Sequence, residues 1–194
     1  MFDIPCVVFA GGKSSRMGED KSLLPFGGFS TLAQFQYNRL CNLFTQVYVS
    51  TKSAEKFDFK APFILDPQEV DYAPTAGFVS AFQSLNTDRI MVLSVDTPFV
   101  GEKEFARLLE ADNGDLDAVI ARTPEGSHPM CGIYHHSLLP ELERMLRESD
   151  HRLGKLLGAS HTRFVEFDDD TPFMNLNHPH EYTQALSRFC ERDK

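Results

Sequence analysis

The chain has 194 residues, 42% hydrophobic and 24% charged, which suits one domain with a well-buried core and excludes a disordered chain. Its formal charge of −9 argues against a general nucleic-acid binder, so the places where cations cluster carry information. No apolar run approaches the roughly 20 residues of a membrane span, and the opening Met1-Phe2-Asp3-Ile4-Pro5 does not read as a signal peptide. Cys6, Cys41, Cys131 and Cys190 stand far apart with no Cys-x-x-Cys pair, and read as the free thiols of a protein expected to be cytoplasmic rather than a disulfide framework or zinc site.

In chain order, an apolar strand over Ile4–Ala10 runs into Gly11-Gly12 and then a polar loop with Lys13, Arg16 and, after Gly18, Lys21. Glycines let a backbone turn sharply and bring its N–H groups against a ligand. Successive N–H groups in such a turn form an anion-binding concavity, and three cations within nine residues supply the charge a triphosphate needs. The spacing is neither of the two commonest phosphate motifs: G-x-G-x-x-G is absent, and Gly12 to Gly18 is one residue too long for a P-loop.

Thr31–Phe44 reads as a helix, Val47–Ser50 and Phe63–Leu65 as strands, and Pro74–Leu85 as a second helix opened by proline. Arg89–Val95 is nearly continuous apolar, as a central strand buried on both faces should be. A helix over Glu104–Glu110 and a strand over Asp117–Arg122 follow. Then come a strand at Cys131–Tyr134, helices over Leu138–Leu146 and Arg152–Leu157, a strand at Arg163–Phe167, and a last helix from about Pro179 to Cys190. Strands alternating with helices imply a single-domain α/β fold with a mostly parallel sheet, spanning residues 1–194.

In such sheets ligands lie outside the carboxyl ends of the strands. Three ends carry polar signals: Gly11-Gly12, Asp66 and Asp96. Asp96, at the end of the central strand and two residues before Pro98, is the best candidate for Mg²⁺, which is typically held by one or two carboxylates plus substrate phosphates. Capping a following helix explains Asp96 equally well on pattern alone, and Asp66-Pro67 also fits an ordinary turn. Asn175 and Asn177 point to one side if the segment is extended; locally, Asn177 is better explained as the cap of the helix that Pro179 begins. His128 is placed to line an acceptor side or to sit in a loop. The pairs His135-His136 and His178/His180, and Asp168-Asp169-Asp170, read as solvated. The 17 phenylalanines are assigned to the core.

The segment Phe9-Ala10-Gly11-Gly12-Lys13-Ser14-Ser15-Arg16-Met17-Gly18-Glu19-Asp20-Lys21 resembles the L-A-G-G-x-S-x-R-M-G-x-D-K signature of the MobA family of molybdenum cofactor guanylyltransferases. The resemblance runs along the chain. Pro74-Thr75-Ala76-Gly77 is similar to the family's P-L-A-G, Ser94 to Pro98 to its metal motif, His128-Pro129-Met130 with Gly132-Ile133-Tyr134 to its acceptor-side strand, and Met174 to Glu181 to its N-x-N-T-P-E-E. It implies a three-layer α/β/α, Rossmann-like nucleotidyltransferase fold, with nucleotide bound by about residues 1–100 and acceptor by about 101–194. It also implies transfer of GMP from GTP to the terminal phosphate of molybdopterin, with Mg²⁺ as cofactor and transient contacts with other molybdenum-cofactor proteins. The implied nucleotide contacts are Phe9, Ala10, Gly11, Gly12, Lys21, Asp66, Gly77 and Asp96; the metal falls to Asp96 and more weakly Asn177, and the acceptor to His128, Asn175 and Asn177. Arg16 is added to Lys21 and Asp96 as catalytic from its charge and position. Phe9, Ser50, Thr75 and His178 depart from the pattern, Ser50 where relatives often have Asn.

Two rivals stay open on the sequence. One is a related enzyme, a cytidylyltransferase or a sugar-phosphate nucleotidyltransferase; Ala-Gly-Gly rather than Ala-Ala-Gly favours guanine within the family. The other is a non-catalytic nucleotide-binding scaffold in cofactor assembly, which has no need of Arg16, Lys21 and Asp96 together.

Overall fold

The structure, a computed structural model, describes residues 1–12, 18–67 and 73–192. Its strands are β1 (Cys6–Phe9), β2 (Val47–Thr51), β3 (Phe63–Leu65), β4 (Arg89–Ser94), β5 (Ala118–Thr123), β6 (Gly126–His135) and β7 (Thr162–Glu166). Between and after them run α1 (Leu32–Cys41), α2 (Pro74–Leu85), α3 (Glu102–Ala111), α4 (Leu139–Arg147), α5 (Leu153–Ala159) and α6 (Pro179–Arg192). The strands make one sheet in the order β3-β2-β1-β4-β6-β5-β7. All pairings are parallel except those of β6, which runs against both β4 and β5.

Alternation along the buried strands supplies both faces. Cys6 and Val8 of β1, with Met91 and Leu93 of β4, pack beneath α1, α3 and α6. Val7, Phe9, Ile90 and Val92 pack beneath α2, α4 and α5. The result is the expected three-layer sandwich, and the phenylalanines are mostly core. Phe26, Phe35 and Phe189 form an edge-on cluster with centroids 4.9–5.5 Å apart, which seats α6 against the N-terminal half of the chain. Tyr182 adds a hydroxyl donated to the Pro25 carbonyl. No helix among the described residues is long and apolar enough to cross a membrane.

Several boundaries differ from expectation for local reasons. Thr31 caps α1 rather than starting it, its Oγ1 accepting the Gln34 N–H at 3.1 Å. The largest difference is β6, which begins at Gly126 rather than Cys131. Its register against β5 jumps between Ile120, opposite Gly132, and Ala121, opposite His128. Pro129 sits inside that bulge, where a missing N–H breaks no ladder bond, and its carbonyl accepts the Tyr134 hydroxyl at 2.7 Å. His128-Pro129-Met130 therefore belong to a bulged strand, not a loop.

His135 is not solvated either: its Nε2 lies 2.8 Å from Asp112 Oδ1, and Asp112 also takes Arg89. Arg89 opens β4, so this cluster lies at the opposite end of that strand from Asp96. In the acidic run, Asp169 accepts the Thr171 N–H and Asp170 the Glu125 N–H, so these two order the turn before the helical turn Thr171–Phe173.

Candidate active site

The order β2-β1-β4 puts the carboxyl ends of three parallel strands side by side, with β1 between neighbours reached by opposite crossovers. This is the topological switch point at which a crevice opens. The reversal of β6 adds something a fully parallel sheet would not. Its amino-terminal residues reach the same edge, with Cys131 opposite Leu93, so Met130 comes level with the end of β4.

Lys21 is the centre of the site. It lies in a helical turn, Lys21–Leu23, capped by Asp20, whose Oδ1 accepts the Ser22 N–H at 3.0 Å. Its ammonium contacts Asp96 Oδ2 and donates to Asn177 Oδ1 at 2.9 Å. Three segments far apart in sequence thus meet at one nitrogen. Asp96 is 8% exposed; its Oδ1 accepts the Ser94 hydroxyl at 2.6 Å and its carbonyl the Leu176 N–H at 2.9 Å.

Both capping explanations give way here. Asp96 caps no helix, since α3 starts only at Glu102 with Gly101 as its cap. Nor does Asn177 cap α6. The His178 carbonyl accepts the helix's first bond, from Tyr182, while Glu181 reaches back to the N–H groups of Asn177 and His178 at 2.7 Å each. Glu181 thus plays the returning half of a capping box, which leaves the Asn177 amide free to face Lys21.

Asp96 and Ser94, with Met130, line two adjoining cavities. The smaller, of about 170 Å³, is also lined by Phe9 to Gly12, Asp20 to Ser22 and Pro74. The larger, of about 270 Å³, is also lined by Ser127 to Pro129, Asn175 and Asn177. His128 faces the second cavity with its ring stacked on Phe173 at 4.8 Å and Nε2 at 2.9 Å from Thr123 Oγ1. Burial lowers its pKa, favouring the neutral ring.

The glycines earn their places by space rather than by left-handed backbone. Gly11 and Gly12 do not have positive φ; Gly18, at +77°, does, where the loop returns. A Cβ on Gly11 would stand 3.3 Å from Asp66 Oδ2, so Asp66 lies directly behind the first glycine. Asp66 is buried, and its Oδ1 accepts the Ser50 hydroxyl at 3.0 Å. Burial raises the Asp66 pKa, with the Ser50 bond and Lys52 opposing. The sign follows: the folded state holds this proton more tightly than the unfolded chain, so its contribution is present below the ordinary carboxylate range and is lost as pH rises through the raised pKa. Asp66→Asn without nucleotide is therefore expected to melt higher than the parent at neutral pH. The gap should close in melting curves taken towards pH 4.

Gly77 lies inside α2 and reaches the site through Phe9 rather than lining either cavity. An added Cβ would come within 2.6 Å of Phe9 Cε1 and 2.9 Å of Ser50 Oγ. Gly77→Ala should cost about 1–3 kcal/mol in denaturant unfolding by overpacking. Arg16 lies outside the described residues.

Sequence reasoning missed the supports. Gln36, fully buried in α1, donates to the Val95 carbonyl at 2.9 Å, and Arg39 donates to the Val100 carbonyl at 2.7 Å. Together they hold both ends of the segment that carries Asp96. The signal was two polar residues, three apart, on an otherwise apolar helix face. Lys56, between β2 and β3, donates to the Ala10 carbonyl, Asp20 and Ser22, and no motif marked it.

Among the described residues no group of three or more His, Cys, Asp or Glu could hold a metal. The donors that fit Mg²⁺ are instead one carboxylate and one amide oxygen, Asp96 Oδ2 and Asn177 Oδ1, which already bracket a cation, the Lys21 ammonium. Hard oxygens in small number suit an ion completed by phosphates and water.

A switch-point crevice with a glycine turn, a lysine and a strand-end aspartate defines an α/β protein of the nucleotidyltransferase fold. The profile described as "MobA-like NTP transferase domain" matches residues 6–164, and the chain belongs to that family. It is similar to "Molybdenum cofactor guanylyltransferase" of Campylobacter jejuni (strain RM1221), 38% identical over 187 residues, 96% of this chain and 97% of that protein. The protein of the same name from Helicobacter pylori (strain G27) is 33% identical over 95% of this chain and 92% of its own length. Among solved structures, molybdopterin-guanine dinucleotide biosynthesis protein A of Archaeoglobus fulgidus shares the fold, with a TM-score of 0.81 at 22% identity over 97% of this chain and 100% of that one.

Proposed function

We propose that this chain is a guanylyltransferase that moves GMP from GTP to the terminal phosphate of molybdopterin, forming the guanine dinucleotide cofactor and releasing pyrophosphate. The observation that carries the reading is the meeting of Lys21, Asp96 and Asn177 at the wall between two cavities, in a chain whose relatives bear the guanylyltransferase name.

GTP takes the smaller cavity, where the backbone of Phe9 to Gly12 approaches the nucleotide; Asp66, which lines neither cavity but pairs with Ser50 directly behind Gly11, is assigned to the guanosine. The acceptor enters the larger cavity, past His128, Asn175 and Asn177. An acceptor phosphate oxygen attacks the α-phosphorus; the bond to the oxygen bridging to the β-phosphate breaks, and pyrophosphate leaves with the electron pair. That acceptor is largely ionised at neutral pH, since a phosphate monoester has its second pKa near 6, so no general base is required. Positioning and charge neutralisation suffice. Lys21 supplies charge to the phosphates on leaving Asp96 and Asn177, and Arg16 adds to it. Bound Mg²⁺, held by Asp96 and Asn177, would supply Lewis-acid stabilisation of the phosphate oxygens.

The test is calorimetric titration with GTP, CTP and dTTP in the presence of Mg²⁺, followed by pyrophosphate release with molybdopterin. GTP is expected to bind most tightly and to be turned over. Tighter binding of CTP would reassign the base, and tight GTP binding with no pyrophosphate would favour a scaffold.

A further inference from the structure

We propose that Lys56 is a positioning residue of the nucleotide loop, holding both ends of it from behind and cancelling the charge of Asp20. Its ammonium spends its three protons on three acceptors: the Ala10 carbonyl at 3.2 Å, Asp20 Oδ2 at 2.7 Å and Ser22 Oγ at 3.0 Å. All three residues line the smaller cavity. Ala10 precedes the glycines and Asp20 and Ser22 follow them, so one side chain ties the departure of the loop to its return.

Each contact has a consequence for the site. The peptide unit is planar and trans, so fixing the Ala10 carbonyl fixes the direction of the Gly11 N–H, one of the donors offered to the nucleotide. Asp20 caps the turn that carries Lys21 with Oδ1 and gives Oδ2 to Lys56, so both oxygens are engaged. Ser22, only 1% exposed, closes the triangle by donating its hydroxyl to Asp20 Oδ1. Without Lys56, an uncompensated carboxylate would stand in the wall of a cavity meant for a triphosphate, where repulsion is strong.

Lys56 is itself held in place. The next residue, Phe57, is buried and stacks parallel on Phe63 with centroids 5.6 Å apart, and the ammonium lies 4.9 Å from the Phe57 ring centroid. The brace thus transmits the rigidity of the β2–β3 connection to the loop.

The inference rests on the reading that this cavity takes GTP, and the experiment separates the two. Calorimetry with GTP and Mg²⁺ is run on the full chain, on Lys56→Met and on Lys56→Met/Asp20→Asn, with amide exchange of a peptide covering residues 18–24 measured without nucleotide. Lys56→Met should bind GTP at least tenfold more weakly and exchange faster in that peptide. The double variant should bind more tightly than Lys56→Met alone, because Asn keeps the cap while removing the exposed charge; a merely structural lysine would give no such rescue. Should Lys56→Met fail to fold, Lys56→Gln serves in its place with the same expected results. A loss smaller than tenfold, a double variant no tighter than the single, or unchanged exchange overturns the proposal. A parent protein that does not bind GTP overturns the nucleotide reading instead, and the exchange result still decides the brace.

Discussion

Asp96→Asn is expected to cut guanylyl transfer by on the order of 10³-fold, because the carboxylate that would hold the metal's stabilising charge beside the reacting phosphate is lost, with the fold intact. Asn is isosteric, so it keeps an oxygen for the Ser94 hydroxyl and leaves the Leu176 bond to its backbone untouched. What it removes is the one carboxylate, among the described residues, that lines both cavities. Circular dichroism should be unchanged and Mn²⁺ binding, followed by electron paramagnetic resonance, should weaken with activity. Near-normal pyrophosphate release would sink the assignment of Asp96 as the metal-holding residue. Asp96→Ala should lose at least as much transfer, with an added stability cost, because it takes the carboxylate from beside the Lys21 ammonium, whose side chain is only 14% exposed.

Lys21→Ala should act with opposite signs on the two ligands. Lys21 occupies the space between Asp96 Oδ2 and Asn177 Oδ1, the same oxygens that fit a divalent ion. Ammonium and metal therefore compete for one place, and their joint presence requires Lys21 to move to the phosphates. Removing it should weaken GTP by about 10²-fold, through loss of a charge-assisted contact. In the absence of nucleotide, Mn²⁺ should bind about tenfold more tightly, a gain of about 1.4 kcal/mol. Titration of each ligand alone checks the pair of signs. Weaker metal binding in Lys21→Ala would mean that the lysine orients the carboxylate for the ion rather than standing in its place.

Taken by itself, the sequence determined the layer architecture, because period-two and period-3.6 patterns are local and buried parallel strands are almost continuously apolar. It also located the ends of β1, β3 and β4 as the places to look, since ligands of such sheets lie outside the carboxyl ends of the strands. Ser50, the doubtful departure from the family pattern, could be noticed but not explained; the fold pairs its hydroxyl with Asp66.

Only the tertiary structure decided what those polar residues do. Asp96 and Asn177 each fit a helix cap locally, and capping was excluded by where α3 starts and by His178, not Asn177, accepting the first bond of α6 while Glu181 takes the N–H groups of both. His128 reaches the crevice because β6 runs against its neighbours and bulges at Pro129, and strand direction leaves no mark in a short apolar run. Lys21, Asp96 and Asn177 meet at one nitrogen across separations of 75 and 156 residues, and Lys56 meets Ala10 across 46. Such contacts form only once a sheet has set its strand order and an aromatic cluster has docked the last helix. Hydrogen bonds and ion pairs between distant segments depend on distances of a few ångström, and pattern carries no information at that scale.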